Sequence, residues 1–248
     1  MKSRNVLFTT VLALTLGGFA TTGLAASDTI RIVTDPTFPP MEFTQGGHRT
    51  GFDIELTEAL AKEMGKKIEW TDIDFKGLIP AIVSGRADAA QSAIYITDAR
   101  RQVVDFTDSY YAGGLVVLTK KDGPIRTLKD LDGKKVSVQV GTQSVKYLQD
   151  NFPKVTRVEV EKNQEMFNLV EIGRADAAVT GKPAAKLYAQ QHPELTVLPE
   201  QITTEEYGIA VSKNDPELTK SFNEALKRIK ANGTYKKIAD KWFEAGAK

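Results

Sequence analysis

Gly85-Arg86-Ala87-Asp88-Ala89-Ala90 returns further along the chain as Gly173-Arg174-Ala175-Asp176-Ala177-Ala178. Apolar residues at helical spacing precede each copy: Leu78, Ile79, Ile82 and Val83 in one case, Met166, Phe167, Leu169, Val170 and Ile172 in the other. Each copy then leads into a short small or apolar run. A helix that stops at glycine and gives way to a buried strand accounts for both stretches. Two unrelated helix-to-strand turns of similar composition would also repeat such a phrase, but two equivalent α/β lobes explain it better.

Working outward, the same alternation continues. A strand is expected at Ile30–Val33, then a helix from about Phe52 to Met64 with Phe52, Leu56, Ala59, Leu60 and Met64 on one stripe, closed by Gly65. Val136, Val138 and Val140 alternate as a strand does, Gly141-Thr142 turns, and Val145 and Leu148 begin a helix that ends before Pro153. Asp215 before Pro216 supplies an N-cap and a first-turn proline for a helix whose apolar face is Leu218, Phe222, Leu226 and Ile229, up to Gly233. A last helix carries Tyr235, Ile238 and Trp242. The fold class is therefore α/β, with parallel sheets covered on both faces.

Such sheets bind ligands beyond the C-terminal ends of their strands. Two lobes built alike place those edges across a cleft, so the segments after Ala90 and Ala178 look inward, with Ser92 and Ala93 in one and Thr180 and Gly181 in the other. Thr97 caps a short helix that puts Arg100 on its first turn. A guanidinium presents two parallel donors that match a carboxylate. Alone, Arg100 reads as an ordinary surface arginine; its place after the repeat makes it a candidate anion ligand. After the strand that carries Gln139, Gly141-Thr142-Gln143-Ser144 opens a helix whose free amides form an anion site. Thr142 and Gln143 are the candidates there. Phe38, Phe75 and Tyr95 fall in loops after candidate strands. Each alone reads as core packing; together they form an apolar or cation-holding wall.

The ends and totals narrow the class. Lys2 and Arg4 precede an apolar run from Val6 to Ala20 and small residues up to Ala26, the layout of a signal peptide over residues 1–25, cut after Ala25. The alternative, a membrane anchor, has a short apolar core and no second span. Cysteine is absent, which excludes disulfides and a lipidated cysteine. A diffusible exported protein held near its cell points to the periplasm. The formal charge of +1 falls slightly below zero once Lys2 and Arg4 are removed, so nucleic acid is not an expected partner. His48 and His192 stand alone in sequence, with no metal-ligand spacing, serine elbow or phosphate-binding glycine motif. No metal, cofactor or catalytic residue is expected.

Gly51-Phe52-Asp53, Asp74-Phe75-Lys76-Gly77-Leu78-Ile79-Pro80, Ile96-Thr97-Asp98-Ala99-Arg100, Asp105-Phe106-Thr107, Tyr110-Tyr111, Gly141-Thr142, Tyr207-Gly208-Ile209-Ala210 and Asn232-Gly233-Thr234-Tyr235 occur in that order. Over about Ile30 to Phe243 the chain resembles the periplasmic polar amino acid binding proteins that feed ABC importers, family 3 type. The resemblance implies a two-lobed type II periplasmic binding fold joined by a two-strand hinge. One lobe is expected from residues 26–118 with 208–248, the other from 119–207. It also implies a monomer that captures a small carboxylate-bearing ligand, with the membrane permease of an importer as partner. By the same resemblance Arg100 and Thr142 hold the ligand α-carboxylate, and Phe38 and Phe75 sandwich the ligand.

Two positions depart from the pattern. The family usually has Ser or Thr where Tyr95 stands, and an Asp for the α-ammonium where Gly181 stands. Losing that acid removes the partner of a buried cation. Three readings stay open: Asp35 or Glu42 supplies the charge, Tyr95 joins the phenylalanines as a cation-π wall, or the ligand lacks a free α-amino group. Lys182 is a candidate for a second anion or a solvated helix-start lysine. An enzyme reading stays open because some proteins of this fold resemble cyclohexadienyl dehydratase, but Ala184 stands where that enzyme has a glutamate. A detached ligand-sensing domain is the third functional reading.

Overall fold

The repeat does the same structural work twice. In this computed structural model, which describes residues 28–244, Gly85 and Gly173 close their helices with φ of 72° and 75°. The amides of Arg86 and Ala87 return to the Ala81 carbonyl, and those of Arg174 and Ala175 to Leu169. Asp88 then accepts from the backbone N–H of Arg31 and Asp176 from that of Lys135, each at 2.8 Å. Ala89-Ala90 pairs in parallel with Ile32-Val33, and Ala177-Ala178 with Val136-Ser137. All four alanines are fully buried, because these strands are covered on both faces. The expected signal segment and its cut lie outside the described residues.

Each lobe is built on a five-stranded sheet, and the first also carries a three-stranded antiparallel one, Thr37–Phe38, Glu42–Gln45 and His48–Thr50. In the first, the order is Lys67–Asp72, Thr29–Thr34, Ala89–Ala90, Ala210–Val211, Asp105–Phe106; in the second, Thr156–Val160, Lys135–Gln139, Ala177–Gly181, Leu115–Lys120, Leu195–Val197. The first three strands of each run parallel. The other two run antiparallel to their inner neighbour, so the sheets are mixed and not wholly parallel as expected. Ala210–Val211 and Leu115–Lys120 are the first sheet strands reached after the chain crosses between lobes. They enter from the cleft side without a helical crossover, and so run against the strands that end there.

The crossing is a two-stranded antiparallel ribbon, Tyr111–Ala112 with Glu206–Tyr207. It also corrects a boundary. Leu115–Lys120 belongs entirely to the second sheet, so a division after Leu118 cuts a strand that pairs along its whole length with Ala177–Gly181.

Helices cover both sheets. Phe52–Glu63 packs against Pro216–Ala231, which starts where expected: Asp215 accepts from the Leu218 amide at 3.0 Å and Pro216 opens the first turn. Phe222, Leu226 and Ile229 are buried on its inner face, and burying such side chains contributes about 1.5–3 kcal/mol each.

The lobes touch across the cleft at Gly141. It has φ of 77°, and a Cβ there would lie 2.9 Å from Cα of Lys76 in the opposite lobe. Only glycine allows both the turn and this approach.

Candidate functional site

A narrow cleft lies between the strand ends of the two sheets. From the first lobe come Asp35, Phe38, Glu42, Phe75, Ser92, Ala93 and Tyr95; from the second come Gln139, Thr142, Gln143, Ser144, Asn163, Thr180 and Gly181, with Tyr207 at the hinge. The topology explains the convergence. The segments after Thr34, Ala90, Gln139 and Val179 all leave the C-terminal ends of parallel strands.

Arg100, like Lys182, falls outside this lining. Thr97 caps its short helix as expected, accepting from the Arg100 amide at 3.3 Å. The guanidinium then packs behind Phe75, 5.6 Å from the ring centroid, in an adjoining cavity shared with Lys76 and Gly141. It donates to the Tyr95 carbonyl at 2.9 Å and, across the lobes, to the Gly141 carbonyl at 3.4 Å. These two acceptors, its own neighbour and the turn opposite, hold it at the rim. No carboxylate forms an ion pair with it among the described residues, and burial lowers its pKa to about 10.

The helix Gln143–Asn151 begins beside that guanidinium. Its N-cap, Thr142, gives no side-chain cap: the hydroxyl donates instead to the Gln139 carbonyl at 2.7 Å. The first-turn amides are therefore uncapped at the cleft, with the positive end of the helix dipole behind them. A cation from one lobe and a helix mouth from the other share one seam.

The acids of the cleft are committed. Asp35, 1 % exposed, accepts from Gln139 Nε2 at 2.8 Å, Thr37 Oγ1 at 3.1 Å, the Phe75 amide at 3.2 Å and Lys162 Nζ at 3.1 Å. Burial holds its carboxyl above the ordinary value, with Lys162 pulling the other way. Lys162 also pairs with Asp74 at 2.7 Å, and Lys76 with Glu161 at 2.5 Å, both between lobes. Glu42 accepts from Ser92 Oγ at 2.8 Å; burial, and next the Asp53 charge, push it well above the carboxylate range. Asp53 rises to about 6, chiefly through burial, although Tyr110 and the Ala93 amide donate to it.

The two departures at Tyr95 and Gly181 are one feature. Tyr207 Oη donates to Tyr95 Oη at 3.2 Å, and the ring centroids are 4.7 Å apart. A Cβ at position 181 would overlap Tyr207 Oη and lie 2.9 Å from Phe38 Cζ. The tyrosine pair occupies the space a side chain at 181 needs. Lys182 turns from the cleft to Gln201 Oε1 at 2.8 Å.

Tyr207, Asn163, Ser144 and Lys162 complete the site without having been singled out from sequence. Tyr207 stands in a quoted motif, but nothing local signals that it meets Tyr95. His192 does not stand alone in space: its Nδ1 lies 3.4 Å from Glu171 and 3.6 Å from Glu194. Helix packing in the second lobe assembles this group far from the cleft, from separations with no motif spacing.

Residues 30–245 match the model of the bacterial extracellular solute-binding proteins, family 3. The ABC transporter arginine-binding protein 1 of Escherichia coli (strain K12) is 36 % identical over 239 residues, covering 94 % of this chain and 98 % of that protein. An ancestral arginine-binding protein bound to glutamine has a solved structure with 39 % identity and a TM-score of 0.84, covering 88 % of this chain and 99 % of its own. The ancestral amino acid-binding protein AncCDT-1, a precursor of cyclohexadienyl dehydratase, is 41 % identical with a TM-score of 0.82, over 87 % of this chain and 96 % of its own.

Proposed function

This chain belongs to the bacterial extracellular solute-binding proteins, family 3, and we propose that it captures an amino acid or amino-acid-like carboxylate between its lobes for an ABC importer. One observation carries the reading. Among the described residues Arg100 is a cation without a counter-ion at the seam, next to the uncapped start of the Gln143–Asn151 helix. A buried charge without a partner is costly, and a carboxylate seated there relieves it with charge-assisted hydrogen bonds from both lobes. Because these donors sit on opposite sides of the Tyr111–Ala112/Glu206–Tyr207 ribbon, one anion favours the joined arrangement of the lobes. Closure is then a population shift, driven by affinity for the form in which both halves touch the ligand.

The named relatives are binding proteins for arginine and other amino acids, which supports a carrier over an enzyme. Ala184 is 1 % exposed and offers neither acid nor base. Among the described residues no helix is long and apolar enough to cross a membrane. With the expected signal segment, this supports a periplasmic protein that hands its ligand to a membrane permease.

A thermal-shift screen over amino acids, 2-oxo acids, 2-hydroxy acids, opines, N-methylated derivatives and dicarboxylates tests the proposal. A ligand of the cleft raises the melting temperature in proportion to its occupancy. If no carboxylate in the panel shifts it, the capture reading fails.

A further inference from the structure

The cleft presents no open carboxylate among the described residues. Among the acids, only Asp35 and Glu42 line it. Asp35 already has four donors around its two oxygens, which fills its acceptor capacity. One of them is a protein cation, Lys162, which Asp35 shares with Asp74. Glu42 is buried and bonded to Ser92, and burial with the neighbouring Asp53 charge raises its pKa well above the ordinary value. Arg100 has no carboxylate partner among the described residues.

Tyr95 Oη accepts from Tyr207 Oη and from the Gly114 backbone. Its own proton has no acceptor among the described residues. The hydroxyls of Ser144 and Thr180 and the Gln143 amide also line the cleft without a hydrogen bond to another described residue, each neutral and able to donate or accept. Position 181 has no room for an acid, because Tyr207 and Phe38 fill that space.

An α-ammonium can only donate. In this cleft it would meet neutral hydroxyls and an amide but no open carboxylate among the described residues, and a buried ammonium without a charged partner is disfavoured. An oxygen at the same position accepts from Tyr95 and carries no charge. Resting on the proposed capture of a carboxylate, we infer that the preferred ligand is a small monocarboxylate with an acceptor oxygen in place of the α-ammonium, a 2-oxo or 2-hydroxy acid. This separates the chain from the arginine-binding relatives, whose named ligand is an amino acid.

Matched sets test it by calorimetry on the purified chain: each amino acid beside the 2-oxo acid, the 2-hydroxy acid and the N-trimethylated acid with the same side chain. The expected result is a 2-oxo or 2-hydroxy acid binding at least about tenfold more tightly than its amino acid. Tyr95→Phe, which keeps the ring and removes the proton, should lower that preference by about threefold to tenfold. An amino acid or trimethylated acid binding more tightly than its oxygen counterparts overturns the inference and leaves carboxylate capture standing. Absence of binding by every carboxylate in the sets overturns both.

Discussion

Arg100→Gln separates a recognition role from a structural one. In the folded chain burial lowers the guanidinium pKa from the ordinary arginine value to about 10. At about 1.4 kcal/mol per tenfold, this corresponds to roughly 3 kcal/mol held against the cation, an upper figure because solvent still reaches part of the side chain. Glutamine removes that burden, keeps a donor for the Tyr95 carbonyl, and preserves packing beside Phe75. Its stability should therefore stay within about 1 kcal/mol of wild type. Affinity should not survive, since truncating one partner of a buried charge pair costs about 2–4 kcal/mol, or roughly 30-fold to 1,000-fold. Calorimetry with a ligand from the screen reads the loss, and urea unfolding without ligand reads stability. Affinity unchanged within about threefold would mean that the anion is held elsewhere. A collapse in stability would mean that Arg100 is chiefly a strut between Tyr95 and Gly141.

Gly181→Ala pushes a methyl group into Tyr207 and Phe38, and overpacking of this kind costs about 1–3 kcal/mol. Because Phe38 belongs to the opposite lobe, ligand affinity should fall along with the melting temperature; an unchanged affinity contradicts the close approach. Lys162→Met frees Asp35 from its cation, so lysine and arginine should bind more tightly to the variant than to wild type by calorimetry, and no gain would show that Asp35 does not face the ligand. Glu42 and Asp53 both lie above their ordinary values in the folded chain. Their contribution to stability is therefore complete below about pH 4 and is lost as pH rises, for Asp53 through about 6. Glu42→Gln should flatten the decline between pH 5 and 8 in unfolding titrations, and a slope equal to wild type would exclude Glu42 as its source.

Much of this architecture is legible in the sequence because it rests on local signals repeated twice. Gly85 and Gly173, the aspartates after them and the buried alanines each serve a neighbour a few residues away or one strand over. Cleft-lining candidates such as Ser92, Gln139 and Thr180 follow from one rule about strand ends. What the pattern leaves out is long-range geometry. Tyr207 reaches Tyr95 and Gly181 only because the hinge folds residues far apart in sequence together. Lys162 reaches Asp35 only across the cleft. The direction of Leu115–Lys120 likewise depends on which side of the sheet the chain enters, and periodicity does not record that.

A crystal structure of the chain with a bound carboxylate tests the central claim most directly. The account places the carboxylate oxygens within about 3.2 Å of both the Arg100 guanidinium and the first-turn amides of the Gln143–Asn151 helix, with both lobes in contact with one ligand. A carboxylate held by one lobe alone, or seated away from Arg100, would contradict it.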